Sequence, residues 1–137
     1  MNVVKTCRDL NPNRLILVFG CGGDRERAKR PLMGAVADQY ADYAFITSDN
    51  PRKEDPEAIV RDVETGFKHK NYEKIVDRKL AITRAIAMAQ PRDIVLIAGK
   101  GHEKYQEFSD HTVPFDDVET AARALEEHPV ELPRHGP

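Results

Sequence analysis

The sequence predicts an α/β fold, an open and mostly parallel sheet with helices on both faces. Three observations carry this reading. The apolar runs "RLILVFG", "DYAFIT" and "DIVLIAG" read as strands buried on both faces, as strands of a parallel sheet are. Segments with helical hydrophobic spacing separate them, which is the signature of βαβ units. A polar or glycine-rich stretch follows each run: "CGGDRERAKR", "SDNPRKED" and "GKGHEKYQ".

The elements follow in order. "NVVKTCRDL" places Val3, Val4, Cys7 and Leu10 on one helical stripe, and "RLILVFG" is the first strand. After the polar loop, "PLMGAVADQYA" starts a helix with Pro31 at its first position. "DYAFIT" is the second strand. "DPEAIVRDVETG" has Asp55 as N-cap, Pro56 at the first helical position and Gly66 as the stop. A short strand is expected at residues 74–76, then a helix "DRKLAITRAIAMA" capped by Asp77. "DIVLIAG" is the next strand, and "GKGHEKYQEF" reads as a loop. "HTVPF" is a short segment before a final helix, "DDVETAARALEEH", with Val118, Ala121, Ala122 and Leu125 on one face. The proline-rich tail, residues 129–137, is expected to fray. This succession is Rossmann-like, and in such sheets ligands bind beyond the carboxyl ends of the strands.

Composition narrows the function. The 137 residues amount to one domain, and 21 basic against 23 acidic residues leave a formal net charge of −2. No overall field draws the chain to nucleic acid or an anionic membrane. Cys7 and Cys21 make no disulfide framework, and there is neither a secretory signal nor an 18-residue apolar span. A reduced, soluble, cytoplasmic protein is expected.

Each loop has two readings at this level. "TSDNPR" is a turn by composition, because Ser, Asp, Asn and Pro each favour one, yet its place at a strand end suits a ligand grip equally well. "GCGGD" has the glycines of a phosphate nest but neither GxGxxG nor GxxxxGK[ST] spacing. Arg25, Arg27, Lys29 and Arg30 form a basic cluster that reads as a solvated loop, Arg25 being the one nearest the glycines. In "GKGHE", Gly99 and Gly101 allow close backbone approach, and Lys100, His102 and Glu103 supply charge. No CxxC, HExxH or GxSxG pattern is present, so neither a metal site nor covalent catalysis is expected.

Four segments, "LILVFGCGGDRERAKRPLMG", "FITSDNPRKEDP", "IVDRKLAI" and "DIVLIAGKGHEKYQ", in this order and spacing, resemble the C-terminal domain of the Mur ligases, in particular its diaminopimelate-adding (MurE) branch. The resemblance marks residues 1–128 as the amino-acid-binding domain. It implies an ATP-dependent, amide-forming ligase of cytoplasmic peptidoglycan precursor synthesis. ATP activates the glutamate carboxylate of UDP-MurNAc-L-Ala-D-Glu as an acyl phosphate, and the amine of meso-diaminopimelate attacks it. In that family the P-loop, the Mg2+ ligands and most of the UDP-sugar site lie in N-terminal and central domains. Those domains would be this chain's partners, and alone it is expected to be inactive, with no catalytic residue and no tightly bound ATP or Mg2+.

The family's amino-acid site maps onto Arg25, Asp49, Asn50, Pro51, Arg52, Gly99 and Glu103. Diaminopimelate carries a second amino-acid centre, for which the planar fork of Arg52 suits the carboxylate and Glu103 the ammonium. Asn50, preceding proline, is biased toward extended backbone that fixes its amide, and Arg25 adds a second cation. The same resemblance places Asp24, Asp77, Arg78, Lys100 and His102 near ATP, although Asp77 is also explained as a helix cap. A lysine-adding ligase of the same family and a standalone binding module are the alternatives. A lysine substrate would leave Arg52 without its partner, at a cost of about 1–3 kcal/mol.

Overall fold

The structure, a computed structural model, describes residues 2–23, 27–99 and 104–127. Its elements are α1 (Asn2–Asp9), β1 (Leu15–Cys21), α2 (Lys29–Tyr40), β2 (Tyr43–Ser48), α3 (Pro56–Glu64), β3 (Tyr72–Lys74), α4 (Arg78–Met88), β4 (Ile94–Ala98), β5 (Tyr105–Glu107), β6 (Thr112–Pro114) and α5 (Asp117–Glu127). The first four strands form one parallel sheet in the order β3-β2-β1-β4.

The unbroken apolar run of β1 conceals two alternating sets. Leu15, Leu17, Phe19 and Cys21 join Val4 of α1, Ala37 of α2 and Ile59, Val60 and Val63 of α3 in one core. Ile16 and Val18 join Phe45 of β2, Ala81, Ile82, Ala85 and Ile86 of α4 and Ala124 of α5 in the other. Each fully buried side chain of this kind contributes about 1.5–3 kcal/mol, which is why the helices stay on both faces. α2 and α3 cover one face on the path from β1 to β3, and α4 crosses the other to reach β4, as right-handed crossovers require.

The caps of two helices are as expected. Asp55 accepts from the Glu57 N–H with Pro56 at the first position of α3, and Asp77 accepts from the Leu80 N–H at the start of α4. α2 differs, beginning at Lys29, so Pro31 sits inside its first turn. Proline is tolerated there because first-turn N–H groups have no helical partner.

Five further expectations are corrected. β3 lies at Tyr72–Lys74 rather than residues 74–76, because its pairing with Ala44–Ile46 and the Tyr72 hydroxyl bond to Glu64 set its register. On α1, Val4 is buried while Val3 is exposed, as is Leu10 just beyond the helix. On α5, Ala124 is buried and Ala121 partly so, but Val118, Ala122 and Leu125 face outward. The bond of Asp117 to Arg78 turns positions 117, 121 and 124 toward α4, and small residues allow the close packing. The end of "GKGHEKYQEF" is not a loop: β5 pairs antiparallel with β6 as a separate hairpin. β4, paired on one side only among the described residues, is half-buried rather than enclosed. Residues 129–137 lie outside the described residues.

Candidate functional site

From β1 the chain moves outward to β2 and β3, and only afterwards returns to β4 on the opposite side of β1. The strand order therefore reverses between β1 and β4, where open α/β sheets form their ligand crevice. Three strand-end loops meet at this edge: Gly22 and Gly23 after β1, Asp49 to Arg52 after β2, and Gly99 after β4. Gly99 has φ +114°, and a Cβ there would lie 3.2 Å from the Gly20 carbonyl oxygen. Gly23 is pressed against the turn, so that a Cβ would collide with the Pro51 carbonyl, and its N–H donates to the Asn50 carbonyl at 2.7 Å. Both positions need glycine.

The turn itself is mostly interior. Asp49, Asn50 and Pro51 are buried, and Arg52 adopts a left-handed φ of +53°. β5 locks it in place. Gln106 Nε2 donates to the Asp49 carbonyl at 2.8 Å, the Glu107 N–H donates to Asn50 Oδ1 at 2.8 Å, and the Arg52 N–H donates to the Glu107 carbonyl at 2.9 Å. The Asn50 amide is thus fixed in direction, with its oxygen engaged by β5. Arg52 Nη1 donates to the Gly23 carbonyl at 3.0 Å, and Nε lies 3.4 Å from Glu107 Oε2.

Two buried arginines support the loops from behind. Arg78 grips Asp117 bidentately, at 2.8 and 2.7 Å, and donates to the last carbonyls of β2 and β4, Ser48 at 3.1 Å and Ala98 at 3.2 Å. Arg30 forks onto Glu54 at 2.9 and 2.8 Å, and reaches Asp62 at 3.0 Å and the Gly22 carbonyl at 3.2 Å. The hydrogen bonds that Arg30 donates to Glu54 raise its pKa further. Burial pushes the Asp62 carboxyl up, but its bonds to Arg30 and Arg27 more than offset this and hold it low. Both pairs are charge-assisted and strong.

The Cys21 thiol is driven up to about 11 by burial, which leaves it protonated and unsuited to attack at neutral pH. No group of three or more His, Cys, Asp or Glu side chains among the described residues is arranged to hold a metal ion. The Gly23 N–H is taken by Asn50, and the Arg78 guanidinium is enclosed by Asp117 and the Ser48 and Ala98 carbonyls. Of the residues read as candidates, the structure brings Asp49, Asn50, Pro51, Arg52 and Gly99 to one edge, with Asp77 as a cap and Arg78 behind them. Asp24, Arg25, Lys100, His102 and Glu103 lie outside the described residues.

Residues 1–101 match the family described as Mur ligase, glutamate ligase domain. The chain belongs to the Mur ligase family. Among its relatives are proteins named UDP-N-acetylmuramoyl-L-alanyl-D-glutamate--2,6-diaminopimelate ligase. That of Syntrophomonas wolfei is 51% identical across 90% of this chain and 26% of its own length. Those of Bacillus velezensis and Chlamydia trachomatis are 52% and 54% identical, across 92% and 90% of this chain and 26% of each relative. A solved structure of a ligase with the same name superposes with a TM-score of 0.85 at 44% identity, covering 91% of this chain and 27% of that one. The chain thus spans about a quarter of the length of these relatives.

In this Mur ligase domain the residues that sequence reasoning missed are Arg30, read as solvated, together with Gln106 and Glu107. Arg30 carried no local signal. Its partner Glu54 lies 24 residues away. β5 and β6 have three residues each, too few for a period-2 pattern to show.

Proposed function

We propose that this chain is the domain that receives the incoming amino acid in an ATP-dependent ligase adding meso-diaminopimelate to UDP-MurNAc-L-Ala-D-Glu. ATP and Mg2+ would be held mainly by the ligase's central domain and the UDP-sugar by its N-terminal domain, with the reaction in the cytoplasm. ATP supplies the driving force by converting the glutamate carboxylate to an acyl phosphate. This chain's residues hold the far end of diaminopimelate so that its reacting amine is aimed at that carbonyl. The supporting observation is Arg52, set by a locked turn at the switch-point edge with its side chain partly open to solvent, 21% exposed. Arg52 receives the distal carboxylate, Glu103 the distal ammonium, Arg25 adds positive charge, and Asp49, Asn50, Pro51 and Gly99 shape the pocket wall. Asp24, Lys100 and His102 are proposed to face the nucleotide.

The test is kcat/KM for meso-diaminopimelate and for L-lysine in the ligase carrying this chain, with Arg52→Ala and Arg52→Lys. Loss of the charge-assisted pair should lower the diaminopimelate value by about 2–4 kcal/mol. That corresponds to about 30- to 1,000-fold, with Arg52→Lys in between because it keeps charge without the fork. Lysine, lacking the distal carboxylate, should change little. Equal proportional losses for both substrates would remove the selectivity role, and lysine as the better wild-type substrate would remove the diaminopimelate assignment.

A further inference from the structure

A guanidinium offers a carboxylate two bidentate edges, Nη1 with Nη2 or Nε with Nη2. In Arg52 the first is compromised, because Nη1 turns inward to the carbonyls of Gly23, at 3.0 Å, and Asn50, at 3.4 Å. Nη2 has no hydrogen-bond partner among the described residues. The edge left for a ligand is therefore Nε with Nη2, and its Nε arm already faces a carboxylate, Glu107 Oε2 at 3.4 Å. Glu107 is held through its backbone, by the Asn50 side chain on its N–H and the Arg52 N–H on its carbonyl. Its side chain is 44% exposed and makes one long contact among the described residues. The carboxylate can swing away without disturbing the turn.

We propose that Glu107 is an internal placeholder, occupying one arm of the Arg52 fork in the free protein and yielding it to the carboxylate of the incoming amino acid. This rests on the reading of Arg52 given above. It also changes the origin of selectivity. A substrate without the distal carboxylate leaves Glu107 where it is, so Arg52 is never stranded. Discrimination then comes from what a good carboxylate gains over Glu107, and Glu107 sets how large that gain is.

The experiment measures kcat and KM for meso-diaminopimelate and L-lysine in the ligase carrying this chain, as wild type, Glu107→Gln, Arg52→Ala and the double variant. Glu107→Gln keeps both backbone bonds and removes the competing charge. An exposed pair of this kind predicts that KM for diaminopimelate falls about two- to fivefold with kcat unchanged. Lysine use should not improve, so the ratio between substrates widens. The gain should vanish in the Arg52→Ala background and shrink at high salt. Glu107→Met, which also removes the charge, should shift KM the same way. An unchanged or raised KM in Glu107→Gln, or a gain that persists without Arg52, overturns the placeholder. Those outcomes, with Arg52→Ala still damaging, leave the carboxylate grip of Arg52 standing. An Arg52→Ala ligase that uses diaminopimelate as well as wild type removes the grip itself.

Discussion

The two ends of the sheet handle charge in opposite ways. At the amino ends of the strands, where N–H groups need acceptors, the partners are acids: Asp42 Oδ2 accepts from the Leu15 N–H at 2.7 Å, and in the turn leading into β4 Asp93 accepts from the Gln90 N–H at 2.8 Å. Their arginines, Arg8 and Arg14, remain about a third exposed. At the carboxyl ends, where carbonyls need donors, the partners are Arg30 and Arg78, with side chains 2% and 0% exposed. Strand polarity explains the sign of the charge, because an unpaired backbone donor must find an acceptor and an unpaired acceptor a donor. It does not explain the depth. The carboxyl edge keeps its arginines inside, supporting the loops from behind and leaving their outer side clear for a ligand, whereas the arginines of the amino edge reach water even where their acid, Asp93, is fully buried.

The comparison predicts unequal losses. Arg78→Met should produce the largest, because it leaves the mostly buried Asp117 carboxylate and two strand-end carbonyls without their donor; breaking one partner of a buried pair costs about 3–5 kcal/mol. Urea unfolding would measure it. A loss under about 1 kcal/mol would erase the distinction between the two edges.

Asp93→Asn should be intermediate. Burial pushes the Asp93 carboxyl up, but the Arg14 bonds and the Gln90 N–H outweigh this and hold it below the usual range. A carboxyl with a depressed folded pKa contributes stability above its unfolded value of about 4, and that contribution is lost as pH falls through the lower folded value. The variant should lose about 1–3 kcal/mol at pH 7. The gap to wild type should close as both are acidified below pH of about 4, and a gap independent of pH would assign the effect to packing.

Arg8→Gln should be the smallest. Its pair with Asp42 is 2.9 Å long but has side chains 31% and 41% exposed, so a loss of at most about 0.5 kcal/mol is expected, and less in high salt. A loss matching that of Arg78→Met would show that exposure does not separate the two edges.

What the sequence made legible divides along similar lines. The helices after Asp55 and Asp77 and the three apolar strands carry their information within a few residues, in caps and runs, and they stand where expected. The position of the loops at strand ends was legible too, since order along the chain sets the edge on which they fall. The inner face of α5 was not, because small Ala124 is inside while Val118 and Leu125 are outside, and that rotation is set by a bond to Arg78. The burial of Arg78 depends on a partner 39 residues away, and no local pattern separates such an arginine from a solvated one. The pairing of Glu107 with Arg52 is equally hidden, because it depends on a short hairpin docking against the turn.

The buried arginines touch their loops through peptide carbonyls, at Gly22, Ser48 and Ala98. Every amino acid carries that group. Support of this kind is indifferent to which side chains the loops bear, apart from Glu54, onto which Arg30 forks, the close approach at Gly23 and the backbone conformation at Gly99. Variation among descendants of such a chain can therefore exchange the side chains that greet a ligand while inheriting the frame unchanged, and a new ligand preference need not begin with a new fold.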